Sequence, residues 1–233
     1  PKQNAFALPC SEVIINTDSI ILVMPIIKGR YAGKLNETSG RLTGYWYQNV
    51  MSFPLILQKT GDLAMVKKIN RPQTPKPPYS YKSEDIIYFN AGKSMQFGAT
   101  FTVPLPDTNV DYFRTPVYPT VILITGSGKQ DRDETIFNHK PFAVIADHLT
   151  RHGIAVLRVD DRDIGKTTGN FNVSTTADFA NDVQTGIDYL KTRNDVDTNN
   201  IGLIGHSEGG LIALMLASKR KDVRFIILLA GPG

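Results

Sequence analysis

Hydrophobic and polar positions follow two different patterns along the chain, one on each side of a proline-rich stretch. Residues 12–60 hold short apolar runs separated by Gly, Asn and Asp, which is typical of an antiparallel meander. Four prolines within residues 72–78 exclude a helix or a central strand there. We therefore predict a small β-rich accessory domain over residues 1–70, a linker over 71–80 and a second domain over 81–233.

In the second domain the pattern predicts a hairpin followed by alternating strands and helices. Residues 85–91 and 95–103 read as the two strands of the hairpin. Thr175 and Asp178 have the spacing of a capping pair at a helix start. Because alternating strands and helices build a mostly parallel sheet with flanking helices, we expect an α/β fold. The predicted strands are 119–125, 154–160, 200–206 and 223–231, and the predicted helices are 141–152, 176–193 and 208–220.

Composition excludes several classes of protein. The basic surplus behind the net charge of +4 lies in residues 1–115, where Lys67 and Lys68 are the only adjacent pair, so a nucleic-acid-binding face is not expected. The apolar run 211–217 is too short to span a bilayer. No secretory signal is recognisable at the start of the chain, and the sequence fits a cytoplasmic or an exported protein. A single cysteine, Cys10, excludes an internal disulfide.

No metal or cofactor site is predicted. His148 and His152 have i,i+4 spacing, but no Glu follows the first histidine, so the pair indicates helix surface. The segment Gly165-Lys166-Thr167 ends like a phosphate-binding P-loop, yet Asp160 stands where the first glycine of that motif is required. No dinucleotide-binding G-x-G-x-x-G is present either.

The motif that indicates chemistry is G-x-S-x-G, at residues 205–209. It lies between an apolar β-run and an apolar helix, so the serine falls on a tight strand-to-helix turn that exposes its hydroxyl. The flanking glycines are needed because side chains there would strike the neighbouring strand and helix. We therefore predict Ser207 as a nucleophile. The alternative is a glycine-rich turn with an incidental serine.

A second glycine-containing segment, 125–133, directly follows the strand 119–125. In a fold with such an elbow, an oxyanion hole takes one N–H from the residue after the nucleophile and another from this loop. The candidates are the backbone N–H groups of Glu208 and Ser127, with Gly128 as an alternative to Ser127. A simple glycine-rich turn is the competing interpretation.

The charged residues that adjoin these motifs are expected to have structural and not catalytic roles. We expect Asp161 and Arg162 to pair with each other and fix a buried loop at the end of a strand. His206 is a poor candidate for the catalytic base, because consecutive side chains on the turn point apart.

Together these segments resemble bacterial α/β-hydrolase carboxylesterases of the EstD type, which are related to serine aminopeptidase-like hydrolases. The resemblance implies an α/β-hydrolase fold preceded by a small antiparallel β-domain, Ser207 as nucleophile, Ser127 and Glu208 at the oxyanion hole, and a small-molecule ester as substrate. One departure is Asp163, where such proteins usually carry glycine. The segments that carry the resemblance are 126–134, 157–169, 201–210 and 228–233.

In α/β hydrolases the catalytic acid and histidine follow the serine. Residues 208–233 contain Asp222, which is too early for the acid, and no histidine. We therefore expect both partners beyond residue 233, in a longer protein of which this chain is an excerpt cut at both ends and nearly inactive alone. Open alternatives are a peptidase on the same fold, a non-catalytic binding protein, and carbohydrate binding by the aromatic run 45–47 of the β-domain.

Overall fold

The computed structural model describes residues 10–48, 51–58, 72–106, 115–136 and 138–231. The chain divides into two compact units, residues 1–70 and residues 71–233. The Lys67–Lys68 pair, the first linker residue Arg71 and residues 232–233 lie outside the described residues.

The first unit contains one five-stranded antiparallel sheet, in which each strand pairs with the next along the chain. This is the predicted meander. Its strands follow the short apolar runs, and along β4 exposed and half-buried residues alternate as the two-residue period of a strand requires. Tyr31 is fully buried, and its hydroxyl donates to the carbonyl oxygen of Leu55 at 3.2 Å. The strands are β1 (Glu12–Ile15), β2 (Ser19–Met24), β3 (Gly29–Asn36), β4 (Arg41–Gln48) and β5 (Met51–Gln58).

The second unit is built on a six-stranded mixed sheet with the order β11-β10-β8-β9-β7-β6. Strands β9, β8, β10 and β11 form a parallel block, and the hairpin β6–β7 adds two antiparallel strands at the β9 side. The carboxyl ends of the parallel strands meet at one edge, which is where α/β sheets place their ligands. The strands are β6 (Tyr81–Phe89), β7 (Gln96–Pro104), β8 (Tyr118–Ile124), β9 (Ala155–Val159), β10 (Val196–His206) and β11 (Val223–Leu229).

Three helices cover this sheet: α1 (Pro141–Arg151), α2 (Thr176–Leu190) and α3 (Glu208–Ala217). Successive residues of the central strands point to opposite faces, so the sheet has two apolar cores. Val121 and Leu123 of β8 pack in a cluster with residues of α1, whereas Ile122 and Ile124 pack with residues of α2 and α3. The central strands are therefore buried on both sides, as expected for parallel strands, whereas the edge strands β6 and β11 are largely exposed.

The predicted elements agree with the structure except at some of their ends. The start of α2 is as predicted: Thr175 and Asp178 form a reciprocal capping box. Helices α2 and α3 each end three residues earlier than predicted, and β10 begins four residues earlier, at Val196. After α3 the polar residues form a turn, in which the Arg220 guanidinium pairs with Asp222 at 2.7 Å.

Candidate active site

Ser207 is the single residue between the last residue of β10 and the first residue of α3. Its backbone has φ 50° and ψ −117°, a conformation that non-glycine residues rarely adopt. The serine is partly exposed, and its side chain does not cap the helix. Its N–H donates to the carbonyl oxygen of Leu229 at 2.9 Å, which ties the turn to the end of β11. The chain therefore bends sharply at Ser207, which stays partly exposed.

The two glycines of the motif are required by close backbone contacts. A Cβ on Gly205 would overlap the carbonyl group of Gly209, and a Cβ on Gly209 would overlap the carbonyl oxygen of Ile124 at the end of β8. The contact at Gly205 is between β10 and α3, and the contact at Gly209 is between α3 and β8. Any larger residue at either position would push α3 away and open the turn.

The loop after β8 lies against this turn. A Cβ on Gly126 would be 3.2 Å from Cβ of Ser207, so the loop backbone directly faces the serine. Ser127 and Gly128 follow on the exposed part of the loop, and Gly128 has φ 98°. The structure thus brings the predicted loop and the predicted nucleophile together. The assignment of particular N–H groups to an oxyanion remains a prediction.

Glu208 occupies the first turn of α3, next to Ser207. Its carboxylate accepts a hydrogen bond from Thr176 Oγ1 at 2.7 Å, which turns the side chain towards the start of α2. The predicted role of Glu208 uses only its backbone N–H, and this side-chain contact is compatible with it.

Asp161 holds the two ends of the loop after β8. Its carboxylate accepts from Thr125 Oγ1 at 2.7 Å and from the N–H of Gln130 at 2.8 Å. Burial raises the pKa of Asp161 to about 6, although the hydrogen bonds from Thr125 and Gln130 act in the opposite direction. Asp161 is therefore a buried carboxyl group that fixes the shape of the loop.

The predicted pairing between Asp161 and Arg162 is wrong. The Arg162 guanidinium instead binds Asp182 of α2, at 2.6 Å and 2.8 Å, and Ser174 at 2.9 Å. Consecutive side chains after a strand point in different directions, so Asp161 reaches the loop after β8 while Arg162 reaches α2. The loop 160–165 is nevertheless fixed by these contacts. Asp163, at the position of the family glycine, has φ 64°, a conformation that glycine adopts most easily.

Glu134 is a buried residue of the site that the sequence patterns do not indicate. Its side chain is 3% exposed, and Oε1 lies 2.6 Å from Nδ1 of His206 and 2.9 Å from the backbone nitrogen of Gly126. The only sequence signal was its place at the end of the segment 126–134 that carries the family resemblance. A separation of 72 residues from His206 hides this contact from any local pattern.

An apolar cavity of about 60 Å³ opens beside this site. Gly126 and Glu208 lie at one part of its wall. Its other lining side chains include Phe97, Phe171, Phe179 and Ile212. A small apolar group bound there would lie next to the turn that carries Ser207.

The two histidines with i,i+4 spacing lie on the surface. His148 is exposed on α1 and His152 is exposed directly after it, with their ring centroids 4.3 Å apart. Within the described ranges, no three His, Cys, Asp or Glu side chains are grouped so that they could hold a metal ion. In that same part of the chain, no helix has both the length and the apolar character needed to cross a bilayer.

The chain is similar to known hydrolases in sequence and in fold. Residues 139–232 match the family described as serine aminopeptidase, S33. Esterase EstD of Thermotoga maritima is 31% identical over 115 residues, which are 49% of this chain and 27% of EstD. The matched part is thus little more than a quarter of that relative's length.

Two solved structures share the fold. The α/β hydrolase GrgF from Penicillium sp. sh18 matches with a TM-score of 0.52 and 21% identity, over 64% of this chain and 46% of GrgF. The hypothetical protein PA2218 from Pseudomonas aeruginosa matches with a TM-score of 0.54 and 18% identity, over 68% of this chain and 46% of that protein. The chain therefore has the α/β-hydrolase fold, and part of its sequence is similar to esterase EstD and to the serine aminopeptidase group.

Proposed function

We propose that the protein is a serine hydrolase that cleaves small carboxylic esters through an acyl-enzyme on Ser207. The hydroxyl attacks the ester carbonyl, and the carbonyl oxygen becomes negatively charged in the tetrahedral intermediate. The backbone N–H groups of Ser127 and Glu208 donate to that oxygen. The alcohol leaves, and water then releases the acid.

The observation that carries the proposal is the conformation of Ser207. A serine held at φ 50° between a strand and a helix is strained, and such strain persists where the surrounding structure enforces it. Here the enforcement comes from the close contacts at Gly205 and Gly209. The N-terminus of α3 begins at the next residue, so its N–H groups and its dipole favour negative charge beside the serine.

The surroundings of Ser207 favour a short, uncharged acyl group. The adjoining cavity has a volume of about 60 Å³, which is below the roughly 150 Å³ of an engineered apolar cavity that binds benzene. Its apolar walls favour a group such as acetyl. The carboxyl groups of Asp161 and Glu208 line the cavity and disfavour anionic substrates.

The proton acceptor in this proposal is a histidine supplied beyond residue 233, oriented by an acidic residue from the same region. This is the order nucleophile, acid, histidine of the α/β hydrolases. We do not assign this role to His206, because it directly precedes Ser207 and consecutive side chains on this turn are expected to point apart.

The first test is covalent labelling of the full-length protein with a fluorophosphonate, followed by mass spectrometry of the labelled peptide. We expect the label on Ser207 and its complete loss in Ser207→Ala. The matched control is Ser218→Ala, which removes an exposed hydroxyl at the other end of the same helix and keeps the labelling. A folded wild-type protein that takes up no label would support a non-catalytic binding protein instead.

The second test separates the substrates and the oxyanion donors. The full-length protein is expected to hydrolyse p-nitrophenyl acetate and butyrate much faster than aminoacyl amides, and the reverse preference would indicate a peptidase. Ser127→Pro removes one N–H and is expected to lower kcat by about 10²–10³-fold, the usual cost of one oxyanion donor. Ser127→Ala keeps this N–H and should retain far more activity. Equal activities of the two variants would exclude Ser127 as a donor.

A further inference from the structure

A buried carboxylate joins the two halves of the candidate site. Oε1 of Glu134 is the partner both of Nδ1 of His206, at 2.6 Å, and of the N–H of Gly126, at 2.9 Å. His206 is the residue immediately before Ser207, and Gly126 is the residue immediately before Ser127. One oxygen atom therefore binds the neighbour of the nucleophile and the neighbour of the proposed oxyanion donor.

The surrounding backbone holds Glu134 in place for these contacts. Glu134 has φ 51°, which is uncommon for a residue that is neither glycine nor asparagine. Its N–H donates to the carbonyl oxygen of Asp131 at 2.8 Å. The carboxylate of Asp131 in turn accepts from the N–H groups of Asp133 and Thr135 and from the Thr135 hydroxyl. The turn thus keeps a strained glutamate pointing into a closed space, and strain of this kind motivates a search for a function.

The loop after β8 and the turn at Ser207 are closely packed around Gly126. A Cβ on Gly126 would be 3.1 Å from Nδ1 of His206 and 3.3 Å from Oε1 of Glu134. The N–H of Gly126 is already bound by Glu134, so this N–H is unavailable to substrate and the next donors along the loop are those of Ser127 and Gly128. The position of those donors relative to Ser207 depends on how firmly Gly126 is held.

We propose that Glu134 is a positioning residue, which locks the loop after β8 to the nucleophile turn so that the oxyanion donors face Ser207. This inference rests on the proposed function of Ser207. A displacement of about 1 Å in an active site can cost about 100-fold in rate, so the loss of these two contacts should be measurable in the kinetics. Glu134 acts through Gly126 and His206 and does not itself touch the reacting atoms.

The experiment compares three variants of the full-length protein with wild type. Glu134→Ala removes both contacts. Glu134→Gln keeps an oxygen that can accept from both partners. Glu84→Ala is the matched control, since Glu84 is a partly buried carboxylate of β6 that pairs with Lys82 and Arg193 outside the site. The readouts are kcat and KM for p-nitrophenyl acetate and the rate constant for fluorophosphonate labelling of Ser207, with circular dichroism to confirm folding.

We expect Glu134→Ala to lose about 10–100-fold in both kcat and labelling rate while KM changes by less than about 3-fold, because the loss lies in transition-state stabilisation. Glu134→Gln is expected to stay within about 3-fold of wild type, because the position of the accepting oxygen is preserved. A folded Glu134→Ala protein with wild-type rates would overturn the proposal. A Gln variant as slow as the Ala variant would overturn it as well, since charge and not position would then be responsible.

If Glu134→Ala does not fold, His206→Phe tests the same contact from its other side. The expected result is a kcat and a labelling rate below those of wild type, while KM changes by less than about 3-fold. A folded His206→Phe protein with wild-type rates would contradict the proposed link. A wild-type protein that neither labels nor hydrolyses esters would instead refute the function of Ser207, so the two failures are distinguishable.

Discussion

Replacing Asp161 by asparagine is expected to change how the stability of the protein depends on pH. In the folded protein this carboxyl is largely buried and has a pKa of about 6, compared with 3.8 for an ordinary aspartate. The folded state therefore binds a proton at Asp161 more tightly than the unfolded chain does. The stabilisation that this proton provides is fully present below about pH 4 and disappears as the pH rises through 6.

The size of the effect follows from the two pKa values. Their difference of about 2 corresponds to about 3 kcal/mol, since one pKa unit is worth about 1.36 kcal/mol. Asparagine cannot titrate, so the free energy of unfolding of Asp161→Asn should rise by about 2.4 kcal/mol relative to wild type between pH 4 and pH 7.5, since about 0.6 kcal/mol of the effect is already present at pH 4. Asparagine can keep both contacts of the loop, because its Oδ1 can accept from the N–H of Gln130 while its Nδ2 donates to Thr125 Oγ1.

Urea unfolding of both proteins, followed by circular dichroism at several pH values from 4 to 8, measures this difference. Asp163→Asn is the control substitution of the same type at an exposed position, since the Asp163 side chain is 56% exposed. The reasoning is refuted if the difference between wild type and Asp161→Asn is constant across this range, or if it changes in the opposite direction.

Three further substitutions test the packing of the second unit by urea unfolding. Gly205→Ala forces a Cβ against the carbonyl of Gly209 and is expected to cost about 1–3 kcal/mol and to suppress labelling of Ser207. Gly92→Ala, whose Cβ would meet no atom within 4 Å, is its control, and equal behaviour of the two would contradict the close contact. Thr175→Ala removes the cap of α2 and should cost about 1 kcal/mol without changing activity, so a loss of activity would argue against a purely local role. Leu157→Ala empties a fully buried position of β9 and should cost about 2–5 kcal/mol, and a smaller loss would mean that the core collapses around the gap.

The sequence predicted well those features that depend on neighbouring residues. Thr175 and Asp178 are three residues apart, and the capping box they form needs nothing from the rest of the chain. The same holds for the turn at Ser207, where an apolar strand, two glycines and an apolar helix are contiguous. Helix ends were less predictable, because the residues after α2 and α3 are compatible with one more turn and their actual course depends on contacts such as that of Arg220 with Asp222.

Contacts between distant segments could not be predicted in this way. Arg162 and Asp161 are adjacent and of opposite charge, which favoured a local pair, but the partner of Arg162 lies 20 residues away on α2. Glu134 and His206 meet only because β8 and β10 are neighbours in the sheet, and neither residue shows this in its local sequence. The position of the candidate nucleophile was therefore predictable, whereas the side chains that hold its surroundings were not.

The backbone at Ser207 also has an evolutionary consequence. Glycine adopts φ 50° and ψ −117° without the steric conflict that a Cβ creates, so selection for stability alone would favour glycine at this position. Under the proposed function, a serine is maintained there only while its hydroxyl is needed for the reaction. In descendants that no longer need the reaction, drift at this site should lead to glycine more readily than to alanine. The backbone conformation of the turn would then be kept after the activity is lost.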